Sequence, residues 1–197
     1  MATARPYTQV ARAQAQEETR EALLDAAEAT FFSGTWIQAS LEAVAAGAGV
    51  TKQTLLRHFG SKEGLLEQAM LRGYDRVRDQ RWSAPSGDVE AAVDNLLDHY
   101  GSHGERALMM DGLDAPGRFV ADLGRRARQM HYDWVDHAFG PWLKHARGRR
   151  RVHRRAALIA LCDVHTWWLL SHDLELDRRE VRATLIHSIR SILEEET

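Results

Sequence analysis

The 197 residues are 44% hydrophobic and 27% charged, enough apolar material for one or two compact domains. The 26 Lys and Arg are balanced by 28 Asp and Glu, a formal charge of -2, which excludes a polycation held to nucleic acid by bulk charge. Any contact with nucleic acid must therefore be local. The lone cysteine, Cys162, cannot close an internal disulfide, and its neighbours LIALCDV predict a small buried side chain in a reducing compartment. The opening MATARPYTQVARAQAQ has no apolar central segment, and no apolar run approaches the roughly 20 residues that span a bilayer. A cytoplasmic protein outside the membrane is expected.

In chain order, residues 1–17 hold Arg5 and Arg12 and no clear pattern, and are read as a flexible basic tail. From Glu18 onward apolar residues recur at helical spacing and strand-like alternation is almost missing, which predicts an all-α protein. Leu23, Ala27 and Phe31 mark a first helix ending near Gly34. Ser40 caps a second, with Leu41, Val44 and Ala45 inward and Glu42 in the first turn. Gly47 and Gly49 end it, Thr51 caps a third, and Ser61 caps a fourth bearing Leu65, Leu66, Met70 and Val77.

After the turn SAPSGD a second block begins. A helix from Ser86 or Asp88 carries Val89, Ala92, Leu96 and Tyr100, and a shorter one covers Glu105 to Gly112. Asp114 and Pro116 open a long helix whose apolar face reads Phe119, Leu123, Ala127, Met130, Trp134 and Ala138, interrupted at Pro141. One helix then runs from about Val152 to His172, and the last starts at an Asp177 cap with Glu180 three residues on.

The short-helix, glycine-turn, short-helix unit is a helix-turn-helix pattern, whose second helix enters the DNA major groove. In the helix from Thr51 to Phe59, Leu55 and Phe59 lie four apart and must face a core, leaving Lys52, Gln53, Leu56 and Arg57 on the other side. Gln53 can pair bidentately with adenine, and Lys52 and Thr54 can reach base edges or phosphates. Arg57, His58 and Lys62 are candidate backbone anchors, and the helix starts at Ser40, Thr51 and Ser61 offer amides to phosphate oxygens. No acid occurs from Ala43 to Lys62, as a phosphate-facing stretch requires.

TREALLDAAEATFF followed by SLEAVAAGAGVTKQTLLRHFGSKEGLL resembles the N-terminal domain of the tetracycline-repressor-like (TetR) family of transcriptional regulators. The resemblance covers about fifty residues: the paired alanines, Ser40, AGV at 48–50, Thr51, HF at 58–59 and SKE at 61–63. The segment ALCDVHTWWLLSHDLELDRREVRATLIHSI is similar, more weakly, to that family's last two helices, which pair between subunits. Three residues depart from the family pattern: Leu56 stands at a usual tyrosine that donates to a phosphate, Gln53 at an often small residue, and Thr35 at a common glycine. The resemblance implies a three-helix helix-turn-helix domain, 18–65, joined to a helical ligand-binding and dimerisation domain, 66–197. It further implies a homodimeric repressor, released from a pseudo-palindromic DNA operator by a small apolar or aromatic effector.

Met109, Met110, Met130, Trp134, Trp142 and Trp167 are the candidate effector-lining residues, because soft and aromatic side chains fill irregular apolar pockets. Val181, Leu185, Ile189 and Ile192, with Trp168, are the candidate dimer interface, since the last helix carries more apolar surface than one core contact needs. The competing reading is a helical metal-binding or enzymatic protein without specific DNA binding. His131, Asp133, Asp136, His137, His165 and His172 match no metal-ligand spacing, no nucleophile elbow or reactive-cysteine context occurs, and no metal, cofactor or catalysis is expected. The basic run RGRRRVHRR, Arg147 to Arg155, is read as a solvated loop and helix start.

Overall fold

The computed structural model describes residues 5–112 and 118–194, which are helical with no strand among them. The chain divides into two compact units, Met1–Tyr74 and Asp75–Thr197. No helix among the described residues is long and apolar enough to cross a membrane.

Unit 1 is built from α1 (Arg5–Phe32), α2 (Leu41–Gly47), α3 (Lys52–Phe59) and the first part of α4 (Lys62–Trp82). The tail expected over 1–17 is already helical from Arg5. Gln, Ala, Arg and Glu dominate residues 9–21 and are strong helix formers, so propensity extends the helix where no apolar stripe signals it. Leu23, Leu24, Ala27 and Phe31 of α1 are buried with Val44, Ala45, Leu55, Phe59, Leu65, Ala69 and Met70. Across the α1–α4 seam, Arg72 donates to Glu21 at 2.5 Å, Asp25 at 2.6 Å and Glu28 at 2.9 Å. Burial works against the Arg72 charge, but the Glu28, Glu21 and Asp25 carboxylates outweigh it and raise its pKa.

Unit 2 contains α5 (Val89–Gly112), α6 (Arg118–Ala138), α7 (Gly140–His145), α8 (Gly148–Leu161), α9 (Val164–Trp168), a π-type turn at Leu169–Asp173 and α10 (Arg178–Glu194). Asp88 caps α5 by accepting from the Ala91 amide at 3.0 Å. The two helices expected between Ser86 and Gly112 are one. Gly104 does not break it: a Cβ there would lie 2.3 Å from the Trp167 ring, so this glycine admits the indole against the helix. The opposite error occurs between Val152 and His172. That stretch is split at Cys162, because Asp163 leaves the helix and caps α9 by accepting from the His165 amide at 2.9 Å. Asp177 and Glu180 form the expected reciprocal cap of α10, at 2.8 and 2.9 Å. The proposed helix start at Asp114 and Pro116 lies outside the described residues. Of the apolar face of α6, Leu123, Trp134 and Ala138 are buried, whereas Ala127 is exposed.

The core of unit 2 joins Val93, Leu96, Leu97 and Tyr100 of α5 to Trp134, Val135, Phe139, Leu158 and the α10 residues Val181, Leu185, Ile186 and Ile189. Of the expected dimer-interface residues, Val181, Leu185 and Ile189 are buried within the chain itself. Val181, Leu185, Ile189 and Leu193 recur every four residues and pack, with Ile186, inside the same chain, where α5 and α8 both lie along α10. Ile192 is half-buried against that core and Trp168 stacks on His172 at 3.6 Å. Arg154 is also buried and donates to the Ile192 carbonyl at 3.2 Å, while Arg149 to Arg151 are exposed, so the basic run begins α8 with its first residues in solvent.

His99 is buried in unit 2, and burial, then Arg81, His103 and His131, push its pKa down to about 3. Burial also lowers His131. A depressed histidine is protonated in the unfolded chain before the folded one, so its stabilising effect is complete above 6.5, the unfolded value, and is lost as pH falls. Unfolding free energy should therefore fall by up to about 1.4 kcal/mol per pH unit on account of His99 between about pH 6.5 and 5, with His131 adding in the same direction. Urea titrations across that window measure the slope, and His99→Gln should flatten it.

Candidate nucleic-acid interface

The turn between α2 and α3 is fixed by its own backbone. The Val50 amide donates to Ala45 O at 2.9 Å and the Gly49 amide to Ala46 O at 3.0 Å, the double closure of a Schellman helix end. Gly49 has φ +69, a left-handed conformation that costs a side-chain-bearing residue extra energy. Thr51 then starts α3, its Oγ1 accepting from the Thr54 amide at 3.2 Å and sharing a 3.1 Å hydrogen bond with the Thr54 hydroxyl. Ser40 Oγ accepts from the Ala43 amide at 3.1 Å. These hydroxyls are engaged in capping, which orients the two helices.

Leu55 and Phe59 anchor α3 to the core of unit 1. On the other side Lys52, Gln53 and Arg57 are exposed, and Thr54, Leu56 and His58 are half-buried. Lys52 is held by Glu42 of α2 at 2.8 Å, and the hydrogen bond from Lys52 lowers the Glu42 pKa. Such an exposed pair is weak and exchangeable, so the ammonium can leave its carboxylate for a phosphate.

Lys62 is placed differently from the phosphate anchor expected. Its Nζ donates to the carbonyls of Trp36 at 2.5 Å, Ala39 at 2.6 Å and Ile37 at 3.3 Å, and lies 5.0 Å from the Trp36 ring centre. The ammonium therefore ties the α1–α2 connection to the start of α4. Charged hydrogen bonds of this kind contribute about 1.5–3 kcal/mol, so Lys62→Met should lower the stability of unit 1 by about 2 kcal/mol. Chemical denaturation measures that loss, and an unchanged midpoint would return Lys62 to the phosphate-contact role.

Sequence reasoning missed a groove. Ala13, Gln16, Glu17 and Arg20 of α1 line about 430 Å³ together with Arg57 and His58 of α3. Arg20 donates to Gln68 at 2.6 Å and lies over the Phe59 ring, while His58 Nε2 is buried without a partner. The helix-forming composition before Glu18 was the available signal for this extra wall.

Unit 2 separates the candidate effector residues. Trp134 is wholly buried, and its Nε1 donates to the Arg81 carbonyl at 3.0 Å, so it belongs to the core. Trp142 packs on Phe139, Trp167 lies between Gly104 and Tyr100, and Met109, Met110 and Met130 are half-buried on α5 and α6. Among the described residues, no group of three or more His, Cys, Asp or Glu side chains is positioned to hold a metal ion. Burial pushes the Cys162 thiol up to about 12, which keeps it protonated and unreactive.

Residues 23–69 match the family model described as bacterial regulatory proteins, tetR family. The chain is 35% identical over 74 residues to the HTH-type transcriptional regulator AlkX of Mycobacterium tuberculosis (strain ATCC 25618 / H37Rv), a match covering 38% of this chain and 33% of that protein. It thus spans about a third of the curated relative. Among solved structures, it is similar to a tetR-family transcriptional regulator from Streptomyces coelicolor at 21% identity and TM-score 0.66, covering 89% of this chain and 80% of that one. It is also similar to the fatty acid degradation regulator FadR from Bacillus halodurans at 17% identity and TM-score 0.57, covering 90% and 99%. At these identities the solved structures share its fold.

Proposed function

We propose that this chain, whose residues 23–69 match the tetR-family model, is a homodimeric transcriptional repressor that acts by binding DNA. The observation that supports this most is the exposed row Lys52, Gln53 and Arg57 on a capped helix, in a stretch from Ala43 to Lys62 that contains no acid. Gln53 reads a base edge, Lys52 and Thr54 reach neighbouring bases or phosphates, and Arg57 and His58 hold the backbone beside the α1 groove. Ser40 and Thr51 present helix-start amides to phosphates, and Leu56 packs against the sugar or a thymine methyl.

Two copies related by a two-fold axis read two half-sites of a pseudo-palindromic operator. With Val181, Leu185 and Ile189 committed to the core, the pairing surface draws on the exposed side of α10, with Ala183, Thr184 and His187, and on exposed Leu169 and Leu174. A small effector with an apolar body binds in unit 2 and lowers operator affinity, which requires it to prefer the DNA-incompetent state.

Gel shift at several salt concentrations tests the interface. Arg57→Ala should weaken binding to all sequences and reduce the magnitude of the salt slope by about one. An unchanged slope would remove Arg57 from the phosphate contacts.

A further inference from the structure

Unit 2 holds a buried cation, Arg81, that pairs with none of the described carboxylates. Arg81 is 3% exposed, and its guanidinium lies 3.8 Å from the centre of the Trp134 ring and 5.8 Å from that of Tyr100. Its Nη2 reaches His131 Nδ1 at 3.4 Å, a long contact. Burial lowers its pKa, opposed by the Tyr100 oxygen, and none of the described carboxylates pairs with it. Arg72 in unit 1 shows the usual solution, with three carboxylates around one guanidinium. One aromatic face and the backbone at a helix end offset only part of the cost of desolvating such a charge.

The neighbourhood is polar beyond the needs of packing. Gln80 donates to the Asn95 carbonyl at 3.0 Å and Asn95 to the Gln80 carbonyl at 2.8 Å, yet Gln80 Oε1 and Asn95 Oδ1 are buried without partners. One turn along α5 from Asn95, His99 Nδ1 is buried and unpartnered too. His99 feels the charges of Arg81, His103 and His131 together. A fixed cation, imidazoles and buried unpartnered polar atoms on α4, α5 and α6 amount to more polarity than packing requires.

We propose that this cluster is the head-group site for an organic carboxylate, which pairs with Arg81 beside His131 and His99 and lays an apolar body toward the half-buried Trp167. A single negative charge matches the single fixed cation, and the surrounding rings favour an apolar body over a polyanion. The unpaired Gln80 and Asn95 oxygens accept from a hydroxyl or N–H of the same molecule. The site deepens the reading of unit 2 as an effector domain and rests on that reading only for its regulatory consequence.

The test uses the full chain, with benzoate, phenylacetate and decanoate, each beside its neutral amide, at about 5 mM. At least one carboxylate should raise the thermal midpoint by about 2 °C or more and quench tryptophan emission, while its amide does neither. Ligand-free Arg81→Met should melt above the unmutated protein and lose the response, whereas Arg81→Lys should keep a weakened one. If no carboxylate acts, if the amides act equally, or if Arg81→Met melts lower or fails to fold, Arg81 is a structural tie for Trp134 and the site is refuted. Operator affinity is read separately: a carboxylate that binds without changing it leaves the site standing and removes the regulatory role.

Discussion

Ile189→Asp is expected to unfold unit 2, not to separate two folded subunits. Ile189 is 0% exposed within one chain and packs with Val181, Leu185, Ile186 and Leu193 against α5 and α8. The substitution deletes most of a buried aliphatic side chain and leaves a carboxylate in its place, with a combined penalty of about 4 kcal/mol or more, a large share of a typical domain's stability. Circular dichroism and sedimentation together decide it. Lost helical signal or aggregation fits the packing, whereas a fully helical monomer with an unchanged melting point would place Ile189 at a subunit surface. Thr184→Asp, on the exposed side of the same helix, should leave the fold intact and weaken association.

Arg72→Ala should cost unit 1 about 2–3 kcal/mol. Its three pairs are unequal. Glu21 and Asp25 are well exposed, so their shares approach the few tenths of a kcal/mol typical of surface pairs. The term that decides the outcome is Glu28, whose carboxylate is buried and would lose this guanidinium. Breaking a buried pair from one side costs about 3–5 kcal/mol, reduced here because Arg72 itself is partly solvated. Glu28→Gln in the same chain should recover part of the loss, since a neutral amide is easier to bury. Equal destabilisation by Arg72→Ala and the double variant, measured in urea, would argue that stem packing matters more than charge.

The helix-turn-helix of unit 1 is legible because its signals are local. Ser40 and Thr51 each cap through a hydrogen bond to the third following amide, Gly49 takes a left-handed turn, and Leu55 and Phe59 repeat at one helical turn. Each depends on residues close in sequence. The contacts of Lys62 are not legible, because its partners are the carbonyls of Trp36, Ile37 and Ala39, which no spacing reveals. In unit 2 periodicity identified apolar stripes but not what covers them. For the α10 stripe, the pattern of an apolar face is the same whether α5 or another chain lies on it. The continuity of α5 through Gly104 is not legible in the sequence, because the Trp167 ring that fits against that glycine comes from 63 positions further along. The Arg81 cluster was invisible for a similar reason: an arginine among charged residues reads as solvated until tertiary packing buries it.

Selection of bound fragments from random DNA, with the unmutated protein and with Gln53→Ala, tests most directly whether the outer face of α3 reads sequence as a symmetric pair. The unmutated protein should enrich an inverted repeat whose half-sites are centred about one helical turn apart, or a multiple of it. Gln53→Ala should keep that symmetry, relax one or two base pairs in each half-site, and weaken the best sequence by about 1–3 kcal/mol. Enrichment of no sequence above the starting pool, or of an identical motif by both proteins, would contradict the assignment of Gln53 and its helix face to DNA readout.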